Sequence, residues 1–260
     1  MPLTAPLLLL ADSRLPAGGH AHSGGMEAAT VAGLVDGDHG LEGFLRGRLA
    51  TAGLAAAGLA AAACGHAAEV DAGAPACWAT LDAEAAARTP SPAQRTAARM
   101  QGRALLRAAR AAWPHPVLDS LADGGSQPAE PAARGPAAPF HPIVLGTCAW
   151  IAGGTPGDAA LIAATTAMTS PASAAVRLLG LDPLMVTGLL ARLGPAAAAV
   201  AAEAACAAER SAAGATGPGV NGAGVHGAGA RWAALPAPAS PGLDLLAERH
   251  AREEVALFES

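Results

Sequence analysis

The stretch LLLLADSRLPAGGHAHSGGMEAA, residues 7–29, gathers side chains that could do chemistry. His20 and His22, flanked by Asp12 and Glu27, offer imidazole and carboxylate donors of the kind that hold zinc or nickel. Two histidines in a glycine-rich loop are half a site, and the other six histidines show no ligand spacing around them. Turn formation or contact with another protein is the favoured reading, although two copies of the chain could pool their pairs. Ser23 sits among glycines as a nucleophile can, but HSG lacks the G-x-S-x-G frame and no strand precedes it. Cys64-x-His66 brings a thiol and an imidazole close in sequence, yet positions i and i+2 of a helix point to different faces.

A second concentration of charge lies further on. Arg95, Arg99, Arg103 and Arg107 recur at i,i+4 spacing, followed by Arg110, with no acid between residues 91 and 113. Like charges at that spacing repel by a few tenths of a kcal/mol per pair. The stripe therefore needs carboxylates, and eleven arginines elsewhere face twenty-one acids, so the fold itself can supply them. An internally paired or solvated face is favoured over an acidic partner or a phosphate.

What is missing excludes as much as what is present. The chain has no lysine, so neither a Walker A loop nor Schiff-base chemistry can operate in it. A net charge of -5 argues against general nucleic-acid binding. Cys64, Cys77, Cys148 and Cys206 lie far apart without C-x-x-C or zinc spacing, and read as small buried hydrophobes of a reducing compartment. Residues 49–68 match a membrane span in length, but alanine and glycine are barely lipophilic, so a buried core helix is expected and no transmembrane segment. The short apolar run at Leu7 to Leu10 lacks a preceding positive charge and does not read as a signal peptide, which points to the cytoplasm.

These side chains must be held by helices. Alanine, the strongest helix former, dominates a composition with 3% aromatic residues, so an all-α fold is expected. A turn at Asp36 to Gly40 precedes a helix carrying Leu41, Phe44, Leu45 and Leu49, and a weaker alanine-rich segment runs through Trp78 and Leu81. Ser91-Pro92 signals a helix to about Trp113, and further helices are expected near 141–154, 157–169, 172–180, 183–193 and 195–210. Gly/Pro-rich stretches at 119–139 and 211–242 read as mobile insertions or tethers. From 243 to 260 an amphipathic helix is expected, with Leu243, Leu246, Ala247, Ala251, Val255 and Phe258 on one face and a Glu248–Arg252 pair on the other.

Four segments together carry a resemblance: LADSRLPAGGHAHSGGMEAA at 10–29, HPIVLGTCAW at 141–150, SPASAAVRLLGLDP at 170–183 and SPGLDLLAERHAREEVALFES at 240–260. In this order they resemble the UreF family of urease accessory proteins. The resemblance implies one helical domain of roughly ten helices over residues 1–260, with 119–139 and 211–242 as embellishments. It also implies a non-enzymatic, cytoplasmic helper without a cofactor, a membrane contact or a nucleic-acid contact of its own. Such a protein dimerises, binds a UreD (UreH)-type accessory protein, recruits the GTPase UreG, and assists nickel delivery to apo-urease. The partner contacts would fall on Asp12, Ser23 and Glu27 in the opening segment, on Arg177, and on Leu243, Leu246, Arg249, His250, Leu257 and Phe258 in the closing helix. The alternative is direct nickel binding through His20 and His22. Two departures stand out: the two histidines replace a more usual aromatic pair, and Ala256 precedes Leu257-Phe258 where many relatives are basic, which leaves Arg249 or Arg252 to supply the charge.

Overall fold

Three helices are capped by a hydroxyl side chain and carry a proline at their first or second position, which is the expected N-terminal arrangement. In the computed structural model Thr4 caps the first helix, Ser91 accepts a hydrogen bond from the Gln94 amide, and Thr155 forms a reciprocal capping box with Asp158. The structure describes residues 4–12, 14–16, 19–124, 138–214, 231–253 and 257–258.

The helices are α1 (Ala5–Ala11), α2 (Met26–Val31), α3 (Asp38–Arg48), α4 (Leu54–Asp71), α5 (Trp78–Ala87), α6 (Pro92–Ala112), α7 (Pro116–Gly124), α8 (His141–Ile151), α9 (Pro156–Leu179), α10 (Pro183–Gly214) and α11 (Pro241–His250). A π turn at Leu49–Gly53 joins α3 to α4, so the two run as one long rod and the fold has about ten rods. No strand occurs among the described residues. The all-α expectation holds.

Two expected helix breaks do not occur. Pro171 and Pro195 lie inside the continuous helices α9 and α10. Each proline leaves the carbonyl four residues earlier without its amide donor. Pro171 is buried, and there the Arg48 side chain takes over: its Nε donates to Ala167 O at 3.1 Å. Desolvation in that position lowers the Arg48 guanidinium to about 10. At Pro195 the residue concerned, Ala191, is on the exposed face of α10, where solvent can satisfy the carbonyl.

The rod α4 is central and packs against α8, α9 and α10. Small side chains permit this: Ala57, Ala60, Ala61, Ala63 and Ala67 are all buried on it. Larger residues, among them Trp78, Phe140, Leu105 and Ile143, fill the surrounding gaps. By length and composition three helices, Gly40–Asp71, Pro156–Leu179 and Pro183–Ala212, could cross a membrane. The first, which contains residues 49–68, has 72% of its apolar window buried inside the fold, as expected of a core helix.

The two stretches read as insertions are structured where they are described. Residues 119–124 complete α7 and 211–214 complete α10. Residues 231–235 form a turn that buries Trp232 and Leu235 in the core, because two large apolar side chains interrupt the Gly/Pro pattern there. Within these stretches, residues 125–137 and 215–230 lie outside the described residues.

The arginine stripe is largely used internally. Arg99 pairs with the buried carboxylate of Asp82 at 2.8 Å and stacks over Phe140. Arg95 donates to the carbonyls of Thr89 and Pro90, and Arg110 pairs with Asp119. Arg103 and Arg107 are exposed.

Burial also decides the histidines. His66 lies between Trp78 and Trp232, with ring centroids at 4.6 and 5.3 Å. Its Nε2 accepts from the Cys77 amide at 3.0 Å, so Nδ1 carries the hydrogen of the neutral ring and donates to Glu69 at 3.1 Å. Desolvation lowers its pKa, and the charge of Arg231 adds to this. His141 is held at about 4 by desolvation and by neighbouring His22. Both neutral rings therefore contribute stability above the ordinary value of 6.5, and this is lost as pH falls through their lower folded-state values. The thermal midpoint, followed by far-UV circular dichroism, should drop between about pH 7 and about pH 4, and His141→Gln should reduce the drop. An unchanged drop in that variant would remove His141 from the account.

All four cysteines are free. Cys64 and Cys148 are the buried hydrophobes expected, with thiols pushed by burial up to about 12. Cys77 is half-buried and Cys206 is exposed, because α10 turns that face outward.

Candidate functional site

The two ends of the chain meet. Gly24 and Gly25, at φ of 63° and 87°, make a left-handed turn that a side chain would strain, and this turn delivers the start of α2. Ser23 is fully buried and its Oγ accepts from the Glu27 amide at 3.2 Å, capping that start. Glu27 then points its carboxylate at the C-terminus. It accepts from the Leu257 amide at 2.8 Å and from the Phe258 amide at 2.9 Å, each oxygen taking one. Charge-assisted bonds of this length are stronger than neutral ones.

The rest of the closing segment seals this contact. Phe258 is buried, and the Arg177 guanidinium, from α9, stands 4.5 Å over its ring. His250, at the end of α11, is buried with Nε2 at 3.1 Å from Phe258 O and 3.5 Å from Glu27. Leu243 reaches towards the Gly25 turn, and Leu246 packs on the core. Leu257 contributes its backbone only, since its side chain is 79% exposed, and Leu245 is 70% exposed. Arg249 is exposed.

Six residues that the resemblance assigns to partner contacts are engaged with one another within this chain: Ser23, Glu27, Arg177, Leu243, His250 and Phe258. Asp12 is engaged elsewhere, binding Arg14 through both carboxylate oxygens, and those bonds hold its carboxyl down at about 2. The helix expected over 243–260 stops at His250. Phe258 is buried with its amide on Glu27, beyond the end of the helix; Val255 and Ala256 lie outside the described residues.

Glu248 was missed as a contact with the body of the fold. Its carboxylate accepts from Ser91 Oγ and from the Ala93 amide, fastening α11 to the start of α6, and these bonds lower its pKa. Only the i,i+4 relation to Arg252 is visible locally. The sequence offers no signal for a partner 155 residues away.

For the metal reading, His22 is buried and neighbours His141. The His20 side chain lies outside the described residues. Among the described residues no group of three or more histidine, cysteine, aspartate or glutamate side chains is arranged to hold a metal ion. What the joined ends can do chemically is bind: a carboxylate orders two backbone amides and presents Leu257 and Leu245 outward.

Comparison with known proteins agrees with this geography. The UreF family model matches residues 35–194. Urease accessory protein UreF of Mycobacterium sp. strain JLS is 40% identical over 257 residues, covering 98% of this chain and 97% of the relative. The protein of the same name from Mycobacterium marinum is 38% identical over 262 residues, covering 100% of both, and that of Mycolicibacterium vanbaalenii is 38% identical over 256 residues, covering 98% of both. With a family match over most of the helical core and relatives spanning both joined ends, the chain belongs to the UreF family of urease accessory proteins.

Proposed function

We propose that this protein is a non-enzymatic cytoplasmic scaffold of urease maturation. It forms a homodimer, docks a UreD (UreH)-type accessory protein, and through that complex recruits and regulates a UreG-type GTPase that delivers nickel, as cargo, to apo-urease. The observation that carries the reading is the closing segment: α11 packs on α2 and α6 and the Leu257 and Phe258 amides are held by Glu27, yet Leu245 and Leu257 stand 70% and 79% exposed. Exposed leucines fixed in place are the apolar anchors a partner's groove accepts.

The test follows from the same geometry. Removing residues 243–260 would strip Leu246, His250 and Phe258 from the core as well as the outward leucines. Point changes at the exposed positions are cleaner, because surface substitutions away from caps and buried groups shift stability by about 0.5 kcal/mol or less. Co-expression with the UreD-type and UreG-type proteins of the same organism, with the complex mass read by light scattering, should give a three-component assembly. The double variant Leu245→Arg, Leu257→Arg should lose the UreD-type protein and weaken its affinity by a factor of about 100 or more, as for two hot-spot anchors. An assembly of unchanged mass and affinity would show that the partner binds another face.

A further inference from the structure

We propose that neutral His66 is a latch that closes the turn at residues 231–235 over the end of α4, and that protonating its ring opens the turn while the helical core stays folded. The ring lies between Trp78 of α5 and Trp232 of the turn, with ring centroids at 4.6 and 5.3 Å, and its side chain is fully buried. Both ring nitrogens are committed. Nε2 accepts from the Cys77 amide at 3.0 Å, and Nδ1 donates to the Glu69 carboxylate at 3.1 Å. That carboxylate also takes the Arg231 guanidinium, so one chain of hydrogen bonds runs from the start of α5, through the ring, to the turn.

The closed site has no place for a second proton. It would enter at Nε2, where the Cys77 amide already points its own hydrogen; a backbone amide cannot become an acceptor, so that bond is lost and two N–H groups meet. The imidazolium would also share the Glu69 carboxylate with Arg231, out of water and between two indoles. The other carboxylates nearby are engaged elsewhere. Asp71, at the end of α4, faces His115 at 3.7 Å, and Asp158 of α9 acts on Cys64; on α5, Asp82 holds Arg99 and Glu84 holds Arg88. Arg88 brings a further cation to the turn, donating to Trp232 O at 3.1 Å. Desolvation accordingly lowers the ring's pKa against the pull of Glu69, and the Arg231 charge adds to it. Lifting the turn takes Arg231 away and uncovers the ring to water, so the open turn binds a proton that the closed turn refuses. The latch is therefore complete above the ordinary imidazole value of about 6.5 and weakens as pH falls from there towards the lower folded-state value. It is a property of the isolated chain and does not depend on what α11 meets.

Two amides report the latch: that of Cys77, bonded to the ring, and that of Leu235, which donates to Trp232 O at 3.1 Å within the turn. Their exchange, read by NMR on the full chain and corrected for the intrinsic rate, tests the proposal between about pH 7 and about pH 5. Against the desolvation that would raise it, hydrogen bonds from Arg231 and His66 lower the Glu69 pKa, so that carboxylate stays ionised throughout. Protection of both amides should fall roughly tenfold as pH falls across this range. At each pH both should exchange faster than amides in the middle of α4, which open only with the core. In His66→Gln, whose side chain can accept from the Cys77 amide and donate to Glu69 but cannot change charge, the step should be absent. Nitrogen-15 spectra of the wild-type ring at pH 7 should show hydrogen on Nδ1 and none on Nε2. Flat protection in the wild type, the same step in the variant, exchange only in step with the α4 amides, or a ring protonated at Nε2 at pH 7 would each overturn the proposal. The ring spectra and the comparison with α4 decide it even if the variant folds poorly.

Discussion

Gly146→Ala should destabilise the protein by about 3 kcal/mol or more, the upper range for forcing a methyl group into a packed interior. Gly146 is where α8 crosses α4. A Cβ there would stand 2.1 Å from Ala60 O and 2.8 Å from Ala63 Cβ. The first of these atoms is helix backbone, which no rotamer change can move, so the two rods would have to separate along their length. Since α4 also carries α9 and α10, the strain reaches most of the core. For a protein of this size the loss corresponds to roughly 6–12 °C in the thermal midpoint. Gly43→Ala is the control: Gly43 is exposed in α3 with nothing within 4 Å of its Cβ position, so alanine should stabilise by up to about 1 kcal/mol through helix propensity alone. Denaturant unfolding of both variants separates close packing from propensity. A Gly146→Ala protein within about 0.5 kcal/mol of wild type would mean that α8 and α4 do not approach as described.

Gly146 also shows where the sequence stops being legible. A glycine within HPIVLGTCAW reads as a weak point in a helix, and only the crossing partner reveals that it is required. Helix starts fared differently, because Ser91 and Thr155 act on amides two or three residues away and their effect is written locally. Prolines misled for the same reason in reverse. Pro171 breaks a helix unless something else satisfies Ala167 O, and the donor, Arg48, is 119 residues distant. The arginine stripe was visible as a spacing, but Asp82 and the carbonyls that receive it were not. At the joined ends, Glu27 and Phe258 are 231 residues apart. Resemblance to a family names both as contacts with a partner and not with each other; periodicity suggests a continuous helix, whereas α11 ends at His250 and the Leu257 and Phe258 amides meet the Glu27 carboxylate.

Arg88→Met should detach residues 231–236 from the core while leaving the central helices in place. This return segment has no helix or sheet to satisfy its backbone, and one side chain replaces both. The Arg88 guanidinium donates to the carbonyls of Trp232, Leu235 and Pro236, each at 3.1 Å, and its own position is fixed by the carboxylate and carbonyl of Glu84. Its side chain is 6% exposed, so water cannot substitute for it without opening the site. Methionine retains an apolar stem but no donor, which orphans several carbonyls at once. Each bond to a charged donor contributes about 1.5–3 kcal/mol, and the three share one group, so a combined loss of about 3–5 kcal/mol is expected rather than their sum. Trp232 and Leu235 would leave the core with the segment, and Trp232 would cease to cover His66. Hydrogen exchange should therefore accelerate across residues 231–250, because this segment is the root from which α11 reaches α2, while α4 and α8 stay protected. Arg88→Lys should behave almost as badly, since a single ammonium cannot span carbonyls that a planar guanidinium engages together. Wild-type protection over 231–240 in either variant would show that Trp232 and Leu235 hold the segment by burial alone. Global unfolding would show that the segment belongs to the cooperative core.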